Sequence, residues 1–76
     1  MITIRQVEAL VWSVRLGTLS RAAQRLNTAQ PTISKRLQEL EVACGFEIFE
    51  KRGRKLYLTE KGKSLNALAE KIFELA

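Results

Sequence analysis

A short segment, AQPTISKRL, gathers side chains that suit hydrogen bonding to a negatively charged partner. Its candidate contact residues are Gln30, Pro31, Thr32, Ser34, Lys35 and Arg36. In a DNA major groove, a Gln side chain can bond adenine twice, a Lys can reach guanine, and Pro or Thr can touch a thymine methyl. The segment contains no Asp or Glu, which phosphates would repel. Taken alone, it also fits a solvent-exposed helix face that starts at a proline.

Helical spacing turns these side chains outward. At 3.6 residues per turn, one side of the helix collects the apolar residues Ile33, Leu37, Leu40 and Cys44, which must face the core. Lys35 lies almost opposite, so the first two turns show solvent a compact surface with hydrogen-bonding and basic groups. The free amides at the start of such a helix also favour contact with phosphate.

Basic residues are set apart from acidic ones along the chain, whose net charge is +5 over 76 residues. No acidic residue lies between Glu8 and Glu39, whereas that stretch contains Arg15, Arg21, Arg25, Lys35 and Arg36. A second basic cluster consists of Lys51, Arg52, Arg54 and Lys55. Segregated basic surface is typical of proteins that bind polyanions, although a small soluble domain can carry this net charge without binding one.

The composition argues against an enzyme and against a bound cofactor or metal. Histidine is absent, and the single cysteine, Cys44, excludes an internal disulfide and a multi-cysteine metal site. There is no glycine-rich phosphate loop and no nucleophile motif. No apolar run approaches a membrane span, and the N-terminus does not resemble a signal peptide, so we expect a cytoplasmic protein. Cys44 lies on the apolar stripe and is interpreted as a small core residue.

The first half of the chain reads as three helices. Thr3 and Gln6 have capping-box spacing at the start of a helix that Gly17 ends. Ser20 is the predicted cap of a short second helix, and Asn27 suits the tight turn that follows it. The third helix begins between residues 29 and 31, where a proline is tolerated, and runs to Cys44.

The second half reads as a hairpin and a fourth helix. The segments FEIFEK and KLYLT are β-prone and flank a basic tip, Arg52-Gly53-Arg54. Thr59 can cap the last helix, which carries two apolar stripes. One stripe has coiled-coil spacing and consists of Leu65, Leu68, Ile72 and Leu75; the other consists of Ala69, Phe73 and Ala76. Trp12 is predicted to pack against this helix or a partner's, and Tyr57 to point away from the core.

This order of elements, with the segments SRAAQRLN, AQPTISKRLQELE and LTEKG, resembles the N-terminal DNA-binding domain of LysR-type transcriptional regulators. The resemblance covers essentially the whole chain. It implies a mainly α fold: a winged helix-turn-helix with a three-helix core, a two-stranded β-hairpin wing and a C-terminal linker helix.

The implied DNA-binding domain spans residues 1–58, with the helix-turn-helix at about 20–44 and the wing at about 46–58. Residues 59–76 would form the linker and dimerisation helix, and we expect the effector domain to be absent. Ala29 departs from the serine usual in this family.

The resemblance also implies roles for single residues. In this family the third helix reads the major groove, and the wing lies over the minor groove or the backbone. The residues that match base-contacting positions are Gln30, Pro31, Thr32 and Lys35. Phosphates would be contacted by Ser34 and Arg36 on the third helix and by Ser20 and Arg21 on the second. In the wing, the contacts would come from Arg52 and Arg54. Each of these roles has a structural alternative. Ser20 could simply cap its helix, and the Arg36 side chain could lie along the flank of the third helix. The basic tip could serve only to keep the hairpin edge soluble. The sequence likewise leaves open whether Arg25 contacts DNA or is an ordinary surface charge.

The implied partners are double-stranded DNA and a second copy of the chain. Leu65, Leu68, Ile72 and Leu75 would pair two subunits, which demands a pseudo-palindromic site; alternatively, they bury against the first helix. An effector small molecule would bind only the full-length protein, which we expect in the bacterial cytoplasm, associated with the nucleoid. The alternative function is a winged-helix protein–protein interaction module whose third helix docks on a protein. Such a surface should expose an apolar patch.

Overall fold

The computed structural model describes residues 1–50 and 55–75, with side chains described as far as Glu74. Within these residues the elements are α1 (Ile4–Leu16), α2 (Leu19–Arg25), α3 (Gln30–Cys44), β1 (Phe49–Glu50), β2 (Tyr57–Leu58) and α4 (Glu60–Leu75). The strands pair antiparallel. The prediction of a mainly α winged helix-turn-helix is confirmed.

Helix α1 starts and stops where the sequence predicts. The Gln6 amide donates to the Thr3 hydroxyl over 3.2 Å, and the Thr3 amide donates to the Gln6 side-chain oxygen over 3.1 Å. This reciprocal capping box satisfies two amides that the first turn leaves without helical partners. Gly17 ends the helix in the left-handed conformation, with φ of 85°.

The cap of helix α2 differs from the prediction. Thr18, not Ser20, is the N-cap, and its hydroxyl accepts from the Arg21 amide over 3.1 Å. Both residues carry a suitable hydroxyl. Capping at Thr18 starts the helix one residue before Ser20 and brings Leu19 onto the core within its first turn. Ser20 is therefore an exposed residue inside the helix.

The turn from α2 to α3 and the bounds of α3 follow the prediction. Asn27 adopts the left-handed conformation, with φ of 56°, and Gly45 ends α3 with φ of 79°. Pro31 lies in the first turn of α3. Ala29 is the N-cap, and no side chain among the described residues caps this helix. Ala29 has no side-chain hydroxyl that could cap the helix, and the Thr28 hydroxyl makes no capping hydrogen bond in its place.

The core lies where the first three helices meet α4 and the base of the hairpin. Its largest fully buried side chains include Leu10, Ile33, Leu40 and Ile48. Ala22 and Ala23 are also buried, and their small side chains let α2 approach its neighbours closely. The core side of α3 is thus fixed, which turns its opposite side outward.

The hairpin is shorter than the two predicted strands. Phe49 pairs with Leu58, and Glu50 pairs with Tyr57. Phe49 and Leu58 pack against the core, whereas Tyr57 is exposed, which confirms that its side chain points away from the core. The predicted basic tip, with Lys51, Arg52 and Arg54, lies outside the described residues.

A junction at Ile48 joins the hairpin to α4. The Ile48 carbonyl accepts from the Thr59 amide over 2.9 Å, and the Thr59 hydroxyl accepts from the Gly62 amide over 2.9 Å as the cap of α4. A side chain at Gly62 would place its Cβ 2.1 Å from the Ile48 oxygen. Glycine is therefore required for this close approach.

The two apolar stripes of α4 have different environments. Ala69 is buried, and Leu65 and Phe73 pack against the core. Leu68 is 60% exposed and Ile72 is 51% exposed. The prediction of two stripes therefore holds for the described residues, except that Leu65 belongs to the inner face. The Leu75 side chain and Ala76 lie outside the described side chains.

Candidate nucleic-acid interface

The outward side of the first two turns of α3 is the candidate reading surface. Gln30, Pro31 and Lys35 are exposed there, as the helical spacing predicts. Thr32 is half-buried and lies among them in the first turn. An exposed amide, a proline ring, a hydroxyl and an ammonium group on one helix end match the hydrogen-bonding and methyl groups of a major groove.

Two further residues, Ser34 and Arg36, lie on the flanks of this surface. Ser34 is half-buried and lines a cleft between α3 and the hairpin, together with Phe49 and Leu56. Lys35 lines a shallow groove on the other flank, shared with Met1 and Val42. Arg36 is half-buried, which agrees with a side chain that lies partly along the helix.

The start of α2 adds two exposed residues. Ser20 and Arg21 stand in its first turn, and the Arg21 amide is occupied by the Thr18 hydroxyl. Within the described part of the chain, the side chains of Arg21, Lys35 and Arg36 form no ion pair. Their charges are therefore available to a polyanion.

Two other basic residues of the acid-free stretch are already engaged. The Arg25 guanidinium stands 4.2 Å from the centre of the Trp12 ring, and that of Arg15 stands 5.1 Å from it. Both distances are within the range of cation–π attraction. Trp12 packs at the margin of the core and holds the two arginines, so the freely available basic surface is smaller than the sequence suggests.

Arg15 also forms an ion pair with helix α4. Its Nε donates to Oε1 of Glu70 over 3.0 Å, and its Nη2 donates to Oε2 of the same carboxylate. These hydrogen bonds lower the pKa of Glu70 and raise that of Arg15, more strongly than partial desolvation opposes either shift. Two parallel bonds to one carboxylate fix both side chains in orientation. Arg15 therefore belongs to the packing of α1 on α4.

A contact that the sequence does not signal holds the base of the hairpin. The Glu41 carboxylate accepts from the Ile48 amide over 2.7 Å. Ile48 is thus bonded to α3 through its amide and to α4 through its carbonyl. The base of the hairpin has a fixed place beside α3, whereas the predicted contacts Arg52 and Arg54 lie outside the described residues.

Beyond this surface, the described residues contain an apolar groove, but no candidate metal site and no membrane-spanning helix. Cys44 is half-buried and lines an apolar groove with Phe46, Leu65 and Leu68. Among the described residues, no group of three or more His, Cys, Asp or Glu side chains could hold a metal ion. None of the described helices has the length and apolar character that crossing a membrane requires.

Comparison with known proteins identifies similar regulators. The family model described as "Bacterial regulatory helix-turn-helix protein, lysR family" matches residues 4–63. The transcriptional activator CmpR of Synechocystis is 38% identical over 63 residues, covering 83% of this chain and 21% of that protein. The uncharacterised regulator YdcI of Escherichia coli is 36% identical over 73 residues, covering 96% of this chain. The chain spans 24% of that relative's length.

Two solved structures are similar over nearly the whole chain. One is the CbnR DNA-binding domain in complex with DNA, with a TM-score of 0.88 and 32% identity over 96% of this chain and 84% of that one. Another is the BenM DNA-binding domain bound to its benA site 1 DNA, with a TM-score of 0.90 and 28% identity over 95% of this chain and 81% of that one. Both neighbours are DNA-binding domains.

Proposed function

The chain belongs to the LysR family of bacterial helix-turn-helix regulatory proteins, and on that premise we propose that it binds double-stranded DNA sequence-specifically as part of a transcriptional regulator. The outward side of α3 carries this proposal. Gln30, Pro31 and Lys35 are exposed at the start of a helix whose other side is buried, and no acidic residue precedes Glu39 on that helix. That combination fits a helix lying in a major groove.

Phosphate contacts would hold α3 in the groove. Arg21 at the start of α2 and Arg36 on α3 are cations without a described acidic partner, and Ser20 and Ser34 are hydroxyl donors beside them. In a helix-turn-helix, the first helix crosses the DNA backbone while the second enters the groove. The fixed hairpin base lies beside Ser34, so Arg52 and Arg54 would reach the adjacent backbone or minor groove.

A second copy of the chain would cover the outer stripe of α4. Leu68 and Ile72 are mostly exposed on a helix whose opposite face already packs on its own core. Large exposed apolar side chains one turn apart favour pairing of two helices. Two subunits joined in this way would present two α3 helices to one duplex, which requires a pseudo-palindromic site. An effector would bind elsewhere in a longer protein.

The alternative is a winged-helix module that docks α3 on another protein. The same surface argues against it, because its central exposed residues are Gln30, Lys35 and Gln38 rather than a cluster of large apolar side chains. Protein interfaces concentrate their binding energy in buried apolar and aromatic anchors. The relatives described above are named transcriptional regulators, and an enzyme is not proposed.

Salt-dependent binding to a labelled duplex tests the proposed function. For a DNA binder, the logarithm of the binding constant falls with the logarithm of the salt concentration, with a slope of about −0.9 per phosphate contacted. Arg21→Gln should make this slope shallower by about one unit. Lys71→Gln, which removes an exposed charge late in α4, should leave it unchanged. Absence of duplex binding at low salt would favour the protein-interaction alternative.

A further inference from the structure

Four side chains from three helices meet at the margin of the core. They form a continuous chain of contacts, here called the Trp12 cluster: Arg25 of α2, Trp12 and Arg15 of α1, and Glu70 of α4. None of the four is among the residues proposed above to contact DNA. Their contacts link the helix-turn-helix to α4.

The first link joins α2 to α1. Arg25 is the last residue of α2, and its guanidinium lies 4.2 Å from the Trp12 ring centre. A guanidinium stacked on an indole is held in orientation by the ring's negative face. The end of α2, immediately before the turn into α3, is therefore tied to the middle of α1.

The second link joins α1 to α4. Arg15 lies against the same ring and reaches Glu70 through two hydrogen bonds. The start of α4 is already fixed by Thr59 and Gly62 at the Ile48 junction. Along the later part of α4, Ala69 and Phe73 make apolar contacts with no preferred direction, whereas a two-bond ion pair has directional geometry. Glu70 thus adds a directional constraint on the tilt and rotation of α4.

Small changes in that tilt have large consequences at the far end of the helix. With 16 residues, α4 is about 24 Å long, so a tilt of about 10° displaces its end by about 4 Å. A step of one base pair along DNA is about 3.4 Å. If two copies pair through α4, the tilt of this helix controls the distance between their two α3 helices.

From these contacts we propose that the Trp12 cluster fixes the orientation of α4 relative to the helix-turn-helix and thereby sets the half-site spacing that a dimer accepts. Its members act as positioning residues, which do not touch DNA. This inference rests on the proposed function, because it requires a dimer that binds two half-sites. It adds a determinant of specificity remote from the bases.

The test compares binding to duplexes that differ only in spacing. The reference duplex is an inverted repeat selected from a random pool; the others have one base pair added or removed between the half-sites, or contain a single half-site. We expect Glu70→Gln to reduce the affinity ratio between the reference and altered spacings by about fivefold. Binding to the single half-site should stay unchanged. Glu60→Gln is the matched control and should retain the ratio, because among the described residues the Glu60 carboxylate pairs with Lys63 on its own helix and with no other side chain.

A fluorescence measurement and a rescue variant complete the design. Trp12 is the only tryptophan in the chain, so its emission reports directly on the cluster and should change in Glu70→Gln but not in Glu60→Gln. The exchange Arg15→Glu with Glu70→Arg should recover part of the spacing preference. Chemical denaturation of each variant establishes that it is folded.

Each outcome has a separate meaning. An unchanged spacing ratio in Glu70→Gln, with altered Trp12 emission, would overturn the inference while leaving the proposed function in place. Equal losses on every duplex, the single half-site included, would also overturn it, because the residue would then act on general affinity. If the unaltered chain binds none of the duplexes, the proposed function fails, and the inference fails with it.

Discussion

Helices α3 and α4 pack on the same core, but the exposed side chains on their outward faces differ in chemistry. On α3, the exposed residues of the first two turns are Gln30, Pro31 and Lys35, which offer hydrogen bonds and positive charge. On α4, the exposed residues include Leu68 and Ile72, which offer apolar area. One face suits a hydrated, negatively charged groove, and the other suits a second helix.

This difference shows that burial alone does not assign a role to a helix in a small domain. Both helices bury one side on the shared core, and each leaves the other side free for a partner. The chemistry of the free side is the basis for proposing DNA as the partner of α3 and a second copy of the chain as the partner of α4. Substitutions in either face, or in the junction that holds the two helices together, test these assignments separately.

The largest effect is expected from charges placed on the α4 face. The double variant Leu68→Asp with Ile72→Asp should be monomeric in sedimentation, because carboxylates cannot be buried against another helix without a partner. Loss of the second binding site should weaken binding to an inverted repeat by about 100-fold. Ala67→Asp places a similar charge on a neighbouring exposed position and should remain dimeric. A wild-type-like dimer in the double variant would move the pairing surface elsewhere.

The next effect concerns the junction that orients α4 and the hairpin. Helix propensity alone predicts that Gly62→Ala stabilises the protein by up to about 1 kcal/mol. The new Cβ would instead lie 2.1 Å from the Ile48 oxygen, so we expect the free energy of unfolding to fall by about 2 kcal/mol. Chemical denaturation measures the sign of the change in the free energy of unfolding. The control is Lys63→Ala, at an exposed site on the same helix. A stabilised Gly62→Ala variant would contradict the close approach.

A smaller and more selective effect is expected on the α3 face. Gln30→Ala and Lys35→Ala should each weaken binding to the selected site by about tenfold, the energy of one good base contact. Binding to unrelated duplex should change far less. Val42→Ala alters a residue that is 83% exposed on the same helix. It should change neither the binding to the selected site nor the binding to unrelated duplex. Equal losses on both duplexes would reassign Gln30 and Lys35 to the backbone.

The smallest effect is expected at the hairpin tip. Arg54→Ala should make the salt dependence of binding shallower by about one unit, as removal of one phosphate contact does. The comparison variant is Lys71→Ala, which removes a charge from α4. An unchanged slope in Arg54→Ala would remove the tip from the interface and leave α2 and α3 as its basic elements.

Local patterns in the sequence predict much of this fold. The capping box of Thr3 and Gln6, the stop at Gly17 and the turn at Asn27 each depend on residues within one turn of one another, so spacing identifies them. The cap of α2 was predicted wrongly because Thr18 and Ser20 are both suitable hydroxyl residues. Which one caps depends on how Leu19 packs, and that is a tertiary contact.

Contacts between distant residues could not be read from the sequence. Arg15 and Arg25 look like members of one basic surface, because their charges lie in an acid-free stretch. The partner of Arg15 is 55 positions away, at Glu70, and both arginines stack on Trp12. The Glu41 contact with Ile48 likewise depends on how the chain folds back after α3. The exposure of Gln30, Pro31 and Lys35, by contrast, follows from helical periodicity, whereas their role as base contacts comes from the family resemblance and stays a prediction.

Selection of binding sequences from a random duplex pool, at near-physiological salt, tests the central claim most directly. We expect enrichment of an inverted repeat, because two α3 helices related by a two-fold axis would read two half-sites. We also expect Gln30→Ala and Lys35→Ala to change the preferred bases within each half-site. Recovery of no consensus, with binding that varies only with salt, would contradict sequence reading by α3.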